Sequence, residues 1–150
     1  MPRKKPHYLT AQPYLALNRA VEPIYAGLDT LGIFLVGSCL ERPDFRDVDV
    51  RAMMTDEAYD KLFPSGENGT ESDAFWSLLC ESIGAVLSRA SGLPIDFQIQ
   101  RMSEANAMYP GAGRRNALTG SAGRLYPGEW PSWVRTRMKN ISLLETPNEE

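Results

Sequence analysis

The amino-acid sequence predicts an α+β fold, in which helices pack on a small mixed β-sheet and one helix precedes the first strand. Two segments carry apolar residues at helical spacing, within residues 10–31 and, more clearly, within residues 75–87. Glycine and proline residues separate the segments and support these boundaries. Three short stretches have the apolar or alternating pattern of strands, at residues 33–36, 47–54 and 93–101.

Length and composition indicate one ordinary globular domain. The 150 residues are 43% hydrophobic and 23% charged, and we expect a core over about residues 10–101 with an irregular and helical C-terminal extension over 102–150. No apolar run approaches the roughly 20 residues that span a bilayer, and no secretory signal is recognisable, so we expect a cytoplasmic protein without membrane contact. The net charge of −3 argues against an extensive nonspecific nucleic-acid surface, although it allows a local basic cleft.

The N-terminal segment is predicted to be helical from Thr10 to Leu31. Pro23 lacks an amide hydrogen and is expected to kink or divide this helix. Gly32 favours its end, and the apolar run at 33–36 then predicts a strand in the centre of the sheet. The expected apolar face of the helix consists of Leu15, Leu17, Val21, Ile24, Tyr25 and Leu28.

Two further helices are predicted between the second and third strands. Thr55 is a suitable N-cap for the first, and a loop at 64–70 follows it. The second helix runs to Ser91, where Gly92 favours its end. Its expected buried stripe consists of Phe75, Leu78, Leu79, Ile83, Val86 and Leu87.

The C-terminal third carries weaker signals. A short helix is predicted over 102–109, and irregular chain rich in glycine and proline over 110–131. A last helix is predicted over 131–144, with Trp133, Val134, Met138 and Ile141 facing inward.

Two carboxylates alternate with two valines where the second strand begins. Successive side chains of a strand point to opposite faces, so Asp47 and Asp49 share one face while Val48 and Val50 share the other. Asp96 lies on the polar face of the third strand and can join them if the two strands are neighbours. Carboxylates grouped in this way repel one another unless a cation lies between them, and their oxygen atoms suit Mg²⁺ or Mn²⁺. The alternative is that the three carboxylates do not converge.

Gly37 and Ser38 directly follow the first apolar strand. Glycine lets the backbone approach a ligand closely, and the serine hydroxyl and nearby N–H groups can donate to phosphate oxygens. Arg42 and Arg46, on the loop before Asp47, are further candidates for phosphate contacts by their charge and position.

Together these residues resemble the signature of the nucleotidyltransferase superfamily related to DNA polymerase beta. The family pattern is an apolar residue, glycine, then glycine or serine, a spacer, and Asp-apolar-Asp-apolar. Here VGS at 36–38 is followed by a spacer of eight residues, slightly short for many members, and by DVDV at 47–50. Asp96, within the sequence PIDF, is similar to the family's third carboxylate. The resemblance covers about residues 32–101.

The resemblance implies a nucleotidyltransferase-like fold and metal-dependent transfer of a nucleoside monophosphate from an NTP, with ATP the expected donor, to a hydroxyl group. Asp47 and Asp49 would hold Mg²⁺ or Mn²⁺ on the triphosphate. Asp96 would also ligate the metal and help to activate the acceptor hydroxyl. Gly37 and Ser38 would hold the terminal phosphates. The residues do not name the acceptor, which can be a small molecule, a protein or RNA.

A second function class stays open beside the enzyme. Such a fold can persist as a catalytically inactive module that binds a partner protein or a nucleic acid, and the segment 111–128, rich in glycine and arginine, favours this alternative. A partner or a homodimer can also complete the site of a small enzyme.

The remaining candidates each have two interpretations. Arg114 and Arg115 either reach a triphosphate or a nucleic-acid acceptor, or form an exposed pair on a loop. Trp130 and Trp133 either stack on a base or pack on the core. The single histidine, His7, argues against a hydrolytic triad or a histidine-ligated metal. Cys39 and Cys80 show no metal-ligand spacing and are expected to be free thiols.

Overall fold

A computed structural model describes residues 5–64, 74–110 and 112–120, and short 3₁₀ turns lie at Gly37–Leu40 and Ala112–Arg114. The predicted α+β class is confirmed, with a helix before the first strand. In chain order the helices and strands of these residues are α1 (Ala11–Ala20), α2 (Glu22–Gly27), β1 (Gly32–Val36), β2 (Val48–Met54), α3 (Asp56–Leu62), α4 (Ala74–Ser91), β3 (Ile95–Arg101), α5 (Met102–Met108) and β4 (Asn116–Leu118).

The strands form one mixed sheet in the order β3-β2-β1-β4. β1 runs antiparallel to both of its neighbours, whereas β2 and β3 are parallel. Parallel neighbours need a crossover connection, and the chain through α3 and α4 supplies it. The predicted central position of the first strand is therefore confirmed, and β3 lies at an edge.

The two faces of the sheet differ in chemistry because apolar and polar side chains alternate along β2 and β3. Val48, Val50 and Ala52 of β2 join the hydrophobic core together with Phe97 and Ile99 of β3. Helices α1 and α4 pack against each other, and α4 packs against β3. The opposite face, which we call the polar face, carries Asp49, Arg51, Asp96, Gln98 and Gln100.

Helix α5 covers part of the polar face. It contacts both β2 and β3, and its residue Ala105 is fully buried. Gln100 is only 8% exposed for this reason, although its position on the polar side of β3 predicted a solvated side chain. The uncovered part of the polar face is the part that carries Asp96, which is exposed.

The N-terminal helix divides at Pro23 as predicted, into α1 and α2. It ends at Gly27, four residues before the predicted end, and the Thr30 hydroxyl then lies within hydrogen-bond distance of the carbonyls of Gly32 and Met53, to either of which it can donate. Leu15 is 37% exposed, so its assignment to the buried face was wrong. Successive residues of a helix are rotated by about 100°, which places Leu15 about 200° from the fully buried Leu17.

The orientation of α4 also differs from the prediction. Three residues of the expected stripe, Phe75, Leu78 and Val86, are 47%, 61% and 59% exposed. The other three, Leu79, Ile83 and Leu87, do join or pack against the core. The fully buried line of the helix consists of Cys80, Gly84, Leu87 and Ser91. Gly84 has no side chain, so the helix approaches β3 closely: a Cβ at Gly84 would lie 3.6 Å from the Cβ of Phe97. Small residues determine how closely the helix packs, and a pattern of hydrophobic residues does not reveal their positions.

Strand β4 lies in the segment that was expected to be irregular. Its three residues are too few for an alternating pattern, yet its residue Leu118 is fully buried and pairs with Ile33. Side chains of the N-terminal helices hold it: Tyr25 Oη donates to the Leu118 carbonyl at 2.6 Å, and Asn18 bonds the backbone of Thr119 and Gly120.

Several predictions fall outside the described residues, namely most of the loop at 64–70, the helix at 131–144, and the roles of Trp130 and Trp133. None of the helices in the described ranges combines the length and apolar character needed to cross a membrane. Cys39 and Cys80 are both free and buried, as expected.

We expect Tyr25→Phe to lower the free energy of unfolding by about 1–3 kcal/mol. Its hydroxyl donates to Leu118 and accepts from the Ile33 amide at 3.0 Å, so the change leaves two backbone groups without that partner. Urea denaturation followed by circular dichroism measures the loss. Tyr14→Phe is the matched control, because no hydrogen bond of the Tyr14 hydroxyl is found among the described residues. Equal stability of Tyr25→Phe and wild type would contradict the prediction.

Candidate functional site

The register of the parallel strands places two of the predicted carboxylates side by side. Asp49 of β2 is aligned with Asp96 of β3, and neighbouring strands lie about 4.8 Å apart. The Asp49 side chain is 25% exposed and that of Asp96 is 47% exposed. Burial raises the pKa of Asp49, the nearby Arg51 charge opposes this, and the charge of Asp96 raises the pKa further. The two carboxylates therefore interact directly at the open end of the polar face.

The third predicted carboxylate flanks this pair. Asp47 immediately precedes β2 and is exposed, and its charge adds a smaller contribution to the raised pKa of Asp49. In residues 5–64, 74–110 and 112–120, no three His, Cys, Asp or Glu side chains form a group that could hold a metal ion. A divalent cation at Asp49 and Asp96 would thus need further oxygen ligands from a substrate or from water.

The turn after β1 lies against the Asp49 carboxylate. Gly37 has a φ of +77°, a backbone conformation that other residues rarely adopt. A Cβ at Gly37 would overlap the Oδ2 atom of Asp49, so the missing side chain is what lets the turn approach. Ser38 is half-buried, and its carbonyl accepts the amide hydrogens of Glu41 and Arg42, each at 3.0 Å.

The two loop arginines are not gathered at the site. Arg42 forms an exposed ion pair with Asp44 at 3.6 Å, of the kind that contributes little to stability. Arg46 is exposed. In the part of the chain that the structure describes, no ion pair joins either arginine to the site carboxylates.

A residue that the sequence interpretation missed completes the site. Arg51 is 6% exposed, and its Nη2 lies 3.7 Å from Asp49 Oδ1 and 3.5 Å from Asp96 Oδ2. Its Nη1 donates to the carbonyls of Val50 at 3.1 Å and Asp96 at 2.7 Å. The sequence contained a signal for this position, because Arg51 follows Asp49 by two residues on a strand and must share its face.

The guanidinium balances only part of the local charge. One positive charge faces the two carboxylates of Asp49 and Asp96, and Asp47 adds a third negative charge nearby, so the site keeps an excess of negative charge. The Nε atom of Arg51 is buried and has no hydrogen-bond partner. The Arg51 guanidinium therefore reduces the repulsion between the carboxylates without cancelling their charge.

The other arginine pair is divided between two roles. Arg114 forms an exposed ion pair with Glu41 at 3.6 Å, which fits the interpretation as an exposed loop residue. Arg115 instead donates to the carbonyls of Tyr109 at 3.0 Å and Ala105 at 3.2 Å, and its guanidinium lies over the Phe34 ring. Arg115 thus links the end of α5 to the sheet, and these contacts indicate a structural role for its side chain.

A groove of about 410 Å³ adjoins the carboxylate pair on its outer side. It runs between α4 and the edge strand β3, and we call it the edge groove. Its lining includes Cys80, Glu81, Ser88, Asp96 and Gln98. Burial raises the pKa of the Cys80 thiol to about 11, and it does the same for Cys39 next to Asp49. Neither thiol is ionised at neutral pH, so neither is suited to act as a nucleophile.

The predicted site residues therefore fall into two groups. One group lies together and consists of Asp49, Asp96 and Gly37, with Ser38 beside them and Asp47 at the margin. The other group, Arg42 and Arg46, lies apart from it.

No family model, no curated protein and no solved structure matches the chain. Function is therefore inferred from the residues and their geometry.

We expect Gly37→Ala to destabilise the protein more than Gly92→Ala. Both glycines have a positive φ, +77° and +73°, and each substitution costs about 1–2 kcal/mol of backbone strain. Only Gly37 faces a carboxylate, since a Cβ at Gly92 would have nothing within 4 Å. Urea denaturation of both variants measures their free energies of unfolding, and the difference between the two variants reports the contact with Asp49. Equal losses of free energy would show that the turn does not contact Asp49 closely.

We expect Arg51→Met to lower the free energy of unfolding by about 1–3 kcal/mol at pH 7, because it leaves two carboxylates facing each other. The pKa of Asp49 is already raised in the folded state and should rise further. A carboxyl with a raised folded pKa gives stability at low pH and loses it as the pH rises through that pKa. The deficit should therefore shrink as the pH is lowered from 7 through the raised pKa of Asp49 in the variant. Arg89→Met, on the exposed side of α4, is the control, and a deficit that does not depend on pH would contradict the prediction.

Proposed function

We propose that the protein is a metal-dependent nucleotidyltransferase with a fold of that superfamily. One observation supports this most: the parallel register sets Asp49 beside Asp96 while a glycine turn presses against the Asp49 carboxylate. An isolated Asp-x-Asp on a strand is usually a solvated edge. A carboxylate pair on neighbouring strands, approached closely by a glycine turn, suits a metal-bound phosphate chain.

The residues fit Mg²⁺ or Mn²⁺ as part of a substrate complex. Magnesium in phosphate-transfer sites is held by one or two carboxylates, and phosphates and waters supply its other ligands. Asp49 and Asp96 would hold it, with Asp47 close enough to contribute. When bound, the metal would neutralise charge on the triphosphate and stabilise the charge that develops in transfer.

The turn at Gly37–Leu40 is the proposed phosphate site. Gly37 brings its backbone to the carboxylate pair, and the Ser38 hydroxyl can donate to a phosphate oxygen. Since Val36 is aligned with Asp49 across β1 and β2, phosphates bound at the turn would also reach the carboxylates.

The reaction needs only the nucleotide and an acceptor. The acceptor oxygen attacks the α-phosphorus and forms a new P–O bond, while the bond from the α-phosphorus to the bridging oxygen of pyrophosphate breaks. Pyrophosphate leaves with that electron pair, and the hydroxyl proton passes to the Asp96 carboxylate. Asp96 suits this role because it is the more exposed of the pair and because Arg51 Nη1 bonds its backbone carbonyl, which fixes its position.

One observation favours a second candidate, a catalytically inactive module that binds a partner protein or a nucleic acid. The Arg51 guanidinium already lies within 4 Å of both carboxylates and balances part of their charge without a metal. In this case Asp49 and Asp96 would serve the fold alone. Calorimetric titration with ATP and MgCl₂ separates the two candidates, because only the enzyme should bind the nucleotide in a metal-dependent way.

We expect the wild type to transfer label from α-³²P-labelled NTP to an acceptor, supplied as a cell extract, only when Mg²⁺ or Mn²⁺ is present. Asp49→Asn and Asp96→Asn should each lower the rate by about 100-fold or more, because each removes a ligand or a base while keeping the side-chain shape. Asp44→Asn is the matched control, since Asp44 is exposed on the loop. Undiminished transfer by a folded Asp49→Asn variant would falsify the proposal.

A further inference from the structure

The side of α4 that faces away from the core is also apolar. Leu78, Ser82 and Ala85 each lie two positions before a residue of the buried line, and therefore about 200° around the helix from it. Leu78 is 61% exposed and Val86, on the same side, is 59% exposed. We call this side the outer face of α4, and it consists of Phe75, Leu78, Ser82, Ala85, Val86 and Arg89.

This composition is unusual for the solvent side of a helix. A surface helix ordinarily carries charged residues opposite its apolar stripe, and a helix that is apolar all round is covered on every side. The charged residues of α4 are Glu81 and Arg89. Of the six large hydrophobic residues that are exposed in the described ranges, three lie on the outer face, and the others, Leu15, Leu31 and Met108, lie on separate parts of the chain. The outer face is therefore the place where a further apolar element can pack.

The described chain ends close to the helices. Gly120 is the last described residue, and its carbonyl accepts a hydrogen bond from Asn18 Nδ2 at 3.2 Å. Asn18 belongs to α1, which packs against α4. The ten residues 121–130 can span up to roughly 33 Å, whereas α4 with its 18 residues is about 27 Å long. The segment that follows residue 130 can therefore reach any part of the outer face.

That segment has an apolar stripe of matching length. The sequence predicts a helix over 131–144, outside the described residues, with Trp133 and Ile141 near the ends of its inward side. These two residues are eight positions apart, as are Leu78 and Val86, and eight residues of helix rise about 12 Å. Between Leu78 and Val86 the outer face carries only the small side chains of Ser82 and Ala85 among its exposed residues, so a facing helix can approach closely.

We propose that residues 131–144 dock as a helix on the outer face of α4, with Trp133, Val134, Met138 and Ile141 against Leu78 and Val86. This occupant accounts for two apolar stripes at once. A second copy of the chain would cover the outer face and leave the stripe of 131–144 without a surface of that length among the described residues. The docked helix would direct Arg135, Arg137 and Lys139 outward. The proposal is independent of nucleotidyl transfer.

Hydrogen exchange of the ¹⁵N-labelled full chain, followed amide by amide, tests the docking. A helix of this length is marginal in water without a packing surface, so we expect docking to slow exchange of amides 134–143 at least about tenfold relative to an unstructured chain. Leu78→Asp should remove about tenfold or more of this protection, because it replaces an apolar contact with a charge. Exchange in β1 and β2 should not change, since Leu78 is outside the core.

Two control variants separate docking from general destabilisation. Leu78→Met keeps an apolar side chain at the same position and should keep the protection of residues 134–143. Leu31→Asp places the same charge at another exposed leucine, 51% exposed and outside α4, and should also keep it.

Three results would overturn the proposal. The first is exchange of amides 134–143 at the rate of an unstructured chain in the wild type, and the second is protection that Leu78→Asp leaves intact. The third comes from sedimentation velocity of the same proteins. A wild-type dimer that Leu78→Asp converts to a monomer, with no change in the exchange of residues 134–143, would assign the outer face to a second copy of the chain.

Discussion

The ion pairs of Arg51 with Asp49 and Asp96 are the interaction on which the site depends. Two carboxylates on adjacent strands repel each other, and partial burial of Asp49 increases that cost. The guanidinium lies within 4 Å of both and is fixed by two backbone carbonyls. It lets the parallel pairing of β2 and β3 form without a bound cation. The guanidinium balances only part of the negative charge, so the carboxylate pair keeps a net negative charge.

Strand β2 builds the core and the site at the same time. Its residues Val48, Val50 and Ala52 face the core, and the residues between them form the polar face. Asp96 reaches Asp49 only because the chain crosses over through α3 and α4 and returns parallel to β2. The same crossover sets α4 beside the edge strand, with Gly84 next to Ile95 and Phe97, and so creates the groove. The fold therefore places the glycine turn after β1, the carboxylate pair and the groove in a row.

Much of this could be predicted from local patterns, and the failures have physical causes. The N-cap at Thr55 and the division at Pro23 depend on neighbouring residues, and both predictions were confirmed. The alternation of β3 was confirmed as far as Ile99, and Gln100 departs from it because α5 covers that end of the strand. The predicted buried side of α4 was correct for Leu79, Ile83 and Leu87 and wrong for Phe75, Leu78 and Val86. The buried line includes Gly84, which no hydrophobic pattern marks. Strand β4 was missed, because its three residues form a strand only by pairing with β1. Arg51 was overlooked although its position on β2 was known, because a charged side chain on a strand is ordinarily solvated.

The sequence alone determined the α+β class, the three segments that become β1, β2 and β3, and the face of β2 that carries its carboxylates, since backbone geometry and side-chain alternation act over a few residues. Only the tertiary structure decided that β3 pairs parallel to β2 with Asp96 opposite Asp49, that Arg51 is buried between them, and that a groove opens beside α4. Those features depend on contacts between residues far apart in the chain. Their free energy comes from packing and charge balance in three dimensions, which no local pattern encodes.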